Sequence, residues 1–139
     1  MRYLITARIR SGQEAPLLRA VETGTLGAGS VAGDEYVANM QRARWCEDRT
    51  ARWIEVCFCT RPLDEERPYW EEFFELVRIQ PATSRRKCRD ETGEQPWACT
   101  DCDCTAKLAS RMQRQGESFL ETLRVAVSQN RTLRAAWDE

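Results

Sequence analysis

Four cysteines crowd the stretch from Cys88 to Cys104, and the run Pro96-Trp97-Ala98-Cys99-Thr100-Asp101-Cys102-Asp103-Cys104 places three thiols within six residues. Deprotonated, such thiols are soft donors, and a tetrahedral zinc ion takes four of them. Cys88, Cys99, Cys102 and Cys104 supply that number. The two-residue gap between Cys99 and Cys102 lets one turn aim both sulfurs at a single ion, and Cys102 and Cys104 can converge as well. The spacing is not that of a ribbon with two separated knuckles. An iron–sulfur cluster would use the same donors, but the ferredoxin spacings are not matched. Zinc is therefore the first expectation and iron–sulfur the second. Asp101 and Asp103 are expected to point outward, with Arg85, Arg86, Lys87 and Arg89 offsetting the negative charge.

Cys57 and Cys59 are separate in sequence from this cluster. Two apart on a strand, they share a side. One reading is packing, because unoxidised cysteines are often buried. The other makes them replacement or second-site metal donors. Cys46 reads as packing. A redox alternative rests on Cys99-Thr100-Asp101-Cys102 just ahead of a helix, where a helix N-terminus lowers a thiol's pKa. No βαβ unit precedes that pair, and the third thiol at Cys104 favours chelation over clean disulfide exchange.

Acid–base catalysis has few candidates, since the chain contains no histidine. Glu55 is the best of them, a carboxylate beside Trp53 and Cys57 whose pKa aromatic surroundings would raise. A cross-strand ion pair between Glu55 and Arg8 is the simpler expectation. Nucleic-acid binding through Arg85, Arg86, Lys87 and Arg89, with Trp97 stacking on bases, is disfavoured by a net charge of −1.

These groups must be held by a domain of ordinary size, and 139 residues suffice for one. The five Trp, four Phe and three Tyr can build a compact core. No apolar run is long enough to span a membrane. Arg8 and Arg10 interrupt the first stretch where a signal peptide would need to stay apolar, so a cytoplasmic chain is expected. The odd cysteine count, seven, argues against a disulfide framework. Charge is uneven: residues 61–76 hold six acids against two arginines. Surface ion pairing is the expected outlet for that excess.

Residues 2–10 alternate as a half-buried strand, with Tyr3, Ile5, Ala7 and Ile9 on one face. Ser11 and Glu14 have the spacing of a capping box before a short helix bearing Leu17, Leu18 and Val21, and Gly24 stops it. The glycine-rich stretch from Gly24 to Gly33 reads as an ordinary or lid-like loop rather than a phosphate cradle. Strands are predicted over 36–47 and 51–60, joined as a hairpin at 47–50. In the second, Trp53, Glu55, Cys57 and Cys59 are assigned to the open face of the sheet, which would form a dimer or small-ligand surface. Tyr69, Trp70, Phe73, Phe74 and Val77 then recur at helical spacing and predict a helix over 64–77. A fourth strand at 78–83 is conceivable. The last segment, 105–128, is helical with an interruption at Gly116.

That order makes an α+β ferredoxin-like sandwich the expected fold, βαββα with a possible fourth strand. The expected division is residues 1–83 as the α+β domain and 84–139 as a Cys-rich metal-binding segment with a C-terminal helix. In outline the first part resembles the dimeric α+β barrel superfamily, which includes small monooxygenases and YCII-like proteins. The resemblance implies a homodimer, but transfers no activity. YCII-like proteins lean on a His-Asp pair, and this chain has no histidine. The expectation is thus a metal-holding binding or assembly factor, with a protein partner and without nucleic acid or membrane. A redox protein or a small enzyme of the barrel type is the alternative.

Overall fold

The computed structural model of the chain describes residues 2–81 and 110–134, so the expected ligands Cys88, Cys99, Cys102 and Cys104 lie outside the described residues. Strand β1 runs over Arg2–Ile9, and its inward face is the predicted one, with Tyr3, Ile5, Ala7 and Ile9 all buried. Helix α1, Glu14–Glu22, buries Leu17, Leu18 and Val21, again as predicted. Its N-cap is Gln13 rather than Ser11. Pro16 falls within the first turn, where its missing N–H has no intrahelical partner to lose. Glu14 is buried for another purpose, accepting bonds from Thr132 Oγ1 at 2.9 Å and the Leu133 amide at 3.2 Å.

The first correction concerns 36–47, predicted as a strand. Most of it is helix α2, Glu35–Arg42, and only Arg44–Trp45 form strand β2. Tyr36, Asn39, Met40 and Ala43 are all buried, and their i, i+3, i+4, i+7 spacing is a helical stripe. Strand β3 follows over Ala51–Val56 after a tight turn closed by Cys46 N–H to Thr50 O at 2.9 Å, so the hairpin itself is where the sequence predicts it.

A second correction concerns 64–77. Helix α3 covers only Arg67–Glu71, and strand β4 spans Phe74–Pro81. β4 pairs with β1, but the register slips between Thr6 and Ala7, leaving Val77 as an extra residue on β4. The bulge destroys the two-residue period that would have marked a strand. Phe74, Leu76 and Ile79 face inward on either side of it, opposite Ile9, Ala7 and Ile5.

The end of the chain, expected to be helical over 105–128 with an interruption at Gly116, is helical over 110–113 and turns at Gly116. The unexpected element is strand β5, Glu117–Ser118, which pairs with β2 before helix α4 runs over Phe119–Ser128. Ser118 caps α4 by accepting the Glu121 amide at 3.3 Å. The resulting five-stranded sheet is antiparallel throughout, with order β4-β1-β3-β2-β5, and the class is α+β. The inward side chains of β1 join Leu17 of α1, Met40 of α2 and Leu120 and Leu123 of α4 in one hydrophobic core. Each fully buried Leu or Ile there is worth roughly 1.5–3 kcal/mol. The C-terminal helix is docked on the same core as the N-terminal strand.

The faces of β3 are the reverse of those predicted. Trp53 and Glu55 are buried with the core, while Val56 and Phe58 are exposed. The predicted dimer surface at Trp53 and Glu55 is therefore interior. The Arg8–Glu55 pairing also fails: β1 sets Tyr3 opposite Glu55, and Arg8 opposite Glu75.

Gly116 makes the turn into β5. Its φ is +55°, and a Cβ there would collide with the Trp45 carbonyl oxygen. Gly116→Ala is expected to lose at least about 2 kcal/mol of unfolding free energy, combining left-handed strain with a backbone clash. Urea denaturation followed by tryptophan fluorescence checks this, and an unchanged midpoint would show that the β2–β5 contact opens at no cost.

Candidate metal centre

Seven aromatic rings form a continuous interior chain, and the functional groups hang from it. Trp53 of β3 lies 4.7 Å from Trp70 of α3, Trp70 lies 4.9 Å from Tyr36 of α2, and Phe74 stands 5.3 Å from Trp53. Phe119 extends the chain from Phe74 to Trp45, and Tyr69 extends it from Tyr36. Such tilted pairs contribute about 0.5–1.5 kcal/mol each beyond the area they bury. Both indole N–H groups converge on one carboxylate: Trp53 Nε1 donates to Glu55 Oε1 at 2.8 Å and Trp70 Nε1 to Oε2 at 3.1 Å.

Glu55 is 4% exposed. Burial lifts its pKa from the ordinary 4.5 to about 7, against the two indole bonds that lower it and with the charges of Glu66 and Glu65 raising it further. The pKa elevation expected from aromatic surroundings is present, and its main cause is loss of water.

Just past β3 the chain turns so that Cys57, Cys59 and Glu66 come together. Their ligand atoms all lie within 4.8 Å of one another. The Cys57 and Cys59 thiols donate to Glu66 Oε2 at 3.4 and 3.7 Å. Cys57 Sγ in turn accepts the Cys59 amide at 3.3 Å, and the Leu63 backbone provides another hydrogen bond to it. Both favour a thiolate, but burial outweighs them, and the Cys57 thiol is pushed up to about 12. Without a cation at hand, Cys57 is protonated at neutral pH and inert as a nucleophile. Leu63 is buried with φ +58°, a conformation that costs a branched residue of its type about 1–3 kcal/mol. The strain falls in the loop that joins the two cysteines to Glu66.

Next to these thiols opens a cavity of about 650 Å³ whose wall includes Cys59, Glu66, Glu55, Glu65 and Tyr36. The glycine-rich loop forms one side of it. Gly27, at φ +74°, lies so close to the Tyr36 ring that a Cβ would collide with it. Tyr36 is thereby set to share a 2.7 Å hydrogen bond with Ser30, and Ser30 Oγ reaches Glu65 Oε2 at 2.9 Å. The Val31 amide donates to Glu65 Oε1 at 3.1 Å. Burial raises the Tyr36 phenol well above its usual range.

Cys57 and Cys59 are thus brought together as expected, but in the turn beyond β3, which ends at Val56 rather than at residue 60. Cys46 is partly buried at the β2–β3 turn and is not part of the group. Glu66 is the member of the group that sequence reasoning misses. The available signal is the density of acids over 61–76, for which surface ion pairing is the simpler expectation. A different cavity, of about 410 Å³, lies between Trp45, Arg49, Glu121 and Arg131 and holds no thiol. Among the described residues, no helix is long and apolar enough to cross a membrane. No family model matches the chain, and no curated protein or solved structure does either.

The elevated pKa of Glu55 has a consequence for stability. Between about pH 4.5 and 7 the folded state holds a proton on Glu55 that the unfolded state has released. Its contribution to stability is therefore full below about pH 4.5 and is lost as pH rises through about 7. The full loss is about 3 kcal/mol at 1.36 kcal/mol per pKa unit. In chelator-treated protein, the stability of wild type relative to Glu55→Gln should fall by that order between pH 4.5 and 8. Denaturation curves across this range measure it, and parallel pH profiles for the two proteins would contradict the elevated pKa.

Proposed function

We propose that this chain is a zinc-binding protein in which Cys57, Cys59 and Glu66 hold the ion, and that it serves as a binding or assembly factor. The carrying observation is the spacing of the three donors. Tetrahedral zinc with bonds of about 2.3 Å to sulfur and 2.0–2.2 Å to oxygen sets neighbouring S and O ligands about 3.6 Å apart. The Cys57–Glu66 and Cys59–Glu66 separations are 3.4 and 3.7 Å. Loading replaces two S–H···O hydrogen bonds with bonds to metal and so releases protons. Two thiolates and a carboxylate suit zinc better than an iron–sulfur cluster, which is held by cysteines alone in its common forms. Three protein donors leave one position of a tetrahedron for a further ligand. Cys88, Cys99, Cys102 and Cys104 are proposed, from their spacing, as a second cysteine set.

Support for binding over catalysis comes from Glu55. The best acid–base candidate in a chain without histidine has both oxygens engaged by indole N–H groups. The frame proposed for the site is ferredoxin-like, because β1, β2, β3 and β4 take the order 4-1-3-2 within the antiparallel sheet and two helical connections separate them.

Elemental analysis of protein purified without chelator tests the reading. Cys57→Ser combined with Cys59→Ser should lower zinc content by one equivalent relative to wild type. Zinc titration of the chelator-treated wild type should release protons that the double variant does not release. Unchanged zinc content in a folded double variant would overturn this site, and a brown protein with visible iron–sulfur absorbance would overturn zinc.

A further inference from the structure

The cavity beside the thiols is larger than a metal ion needs. Its volume of about 650 Å³ falls in the range of small-molecule sites, about 300–1,000 Å³. Its wall contains the carboxylates of Glu35, Glu55, Glu65 and Glu66, and no Lys or Arg. None of the four forms an ion pair within the described residues. Glu65 is held by Ser30 and an amide, Glu55 by two indoles, and Glu66 by thiols. The Glu35 carboxylate has no hydrogen-bonding partner among the described residues, its backbone amide alone donating, to Ala32 O at 3.1 Å.

An independent observation concerns Asn39. It lines the same cavity and is 5% exposed, yet its side-chain amide has no hydrogen-bond partner among the described residues. The amide is reached from the cavity rather than sealed in the core, so an occupant of the cavity can pair with it. Asn39 stands four residues beyond Glu35 on α2, so the two share a face of the helix. The lining also carries exposed apolar side chains: Val31 is 94% exposed, Phe58 74% and Val56 46%.

We propose that this cavity binds an organic ammonium ion with an apolar body, its head seated on Asn39, Glu35 and Glu55 and its body lying along Val31, Val56 and Phe58. An ammonium head has donors and no acceptor, and so suits a wall of carboxylates and an amide oxygen. A bare inorganic cation would leave the exposed apolar side chains without a role. The site shares Glu66 and Cys59 with the zinc reading but does not rest on it.

The probe is n-hexylammonium chloride, titrated calorimetrically into the full chain at constant ionic strength, in zinc-loaded and chelator-treated forms. Saturable one-to-one binding is expected in both. Hexan-1-ol and hexanoate, with the same chain length and no positive charge, should bind at least tenfold more weakly. Glu35→Gln, at an exposed position, and Asn39→Ala should each weaken hexylammonium about tenfold, which is about 1.4 kcal/mol. Phe58→Ser should weaken hexylammonium more than methylammonium. Cys57→Ser with Cys59→Ser should retain amine binding, so that loss of zinc and loss of the amine are separate outcomes. Hexan-1-ol binding as tightly as the amine would overturn the proposal. So would unchanged affinity in both Glu35→Gln and Asn39→Ala, or loss of amine binding in the folded double cysteine variant.

Discussion

One buried carboxylate ties the interior together. Glu55 lies at the end of β3, on the side of the sheet that meets the helices, and it is held by indole donors from two different elements. Trp53 belongs to its own strand, whereas Trp70 comes from α3. The pair of bonds fixes how α3 stands over the sheet, and the tilted contact of the two indoles, 4.7 Å between ring centres, reinforces it. Removing one partner would leave a buried polar group unmatched, a cost of about 1–3 kcal/mol that the aromatic packing cannot recover. The strand therefore cannot slip by one residue. A slip would carry Glu55 and Trp53 together to the opposite face and leave the Trp70 indole facing an aliphatic side chain.

Cys57, Cys59 and Glu66, the proposed metal donors, inherit their positions from that registration. Cys57 continues the inward alternation of Trp53 and Glu55, and Cys59 follows as the chain leaves the strand. Glu66 arrives from the other direction, one residue before α3 begins. Since Trp70 anchors α3 to Glu55, the same contact that closes the core sets the distance from Glu66 to the thiols. On the far side of the cavity, Gly27 plays a comparable part. By lacking a Cβ it admits the Tyr36 ring, which orients Ser30 and through it Glu65. The two walls are thus built from separate segments, and both rest on the same run of aromatic rings.

How much of this was legible in the sequence depended on whether a single period dominated each segment. In β1 and α1 the alternation and the helical stripe stand alone, and both elements lie where the pattern puts them. Trp70, Phe73 and Phe74 fit helical spacing as well as they fit the end of a helix followed by a strand, and the bulge at Val77 erased the alternation that would have decided. For β3 the alternation was legible but its sense was not. Ile54, Val56 and Phe58 are the more apolar set, and a rule placing apolar residues inward chooses them. The choice is reversed because the two indoles and the carboxylate satisfy one another, so a face that looks polar in sequence is dry in the fold. The pairing of Cys57 with Cys59 was readable because it is local. The addition of Glu66 was not, since it depends on the turn at Leu63.

The acids of residues 61–76 show why a charge count needs a fold to interpret it. Six acids against two arginines suggests a solvated face with scattered ion pairs. The arginines are indeed spent locally, Arg61 on Asp64 and Arg67 on Glu71, and Glu75 finds Arg134 from the far end of the chain. These pairs are at least partly exposed, and exposed pairs contribute little, about 0–1 kcal/mol. Glu65 and Glu66 receive no such partner. They turn into the cavity toward Glu55, where water is scarce and repulsion is strong. A fold gains nothing in stability by collecting unpaired carboxylates in a cavity. Charges gathered there at a cost to stability are what a cation would offset, which is why the proposals for this cavity and for the thiols beside it are for positively charged occupants.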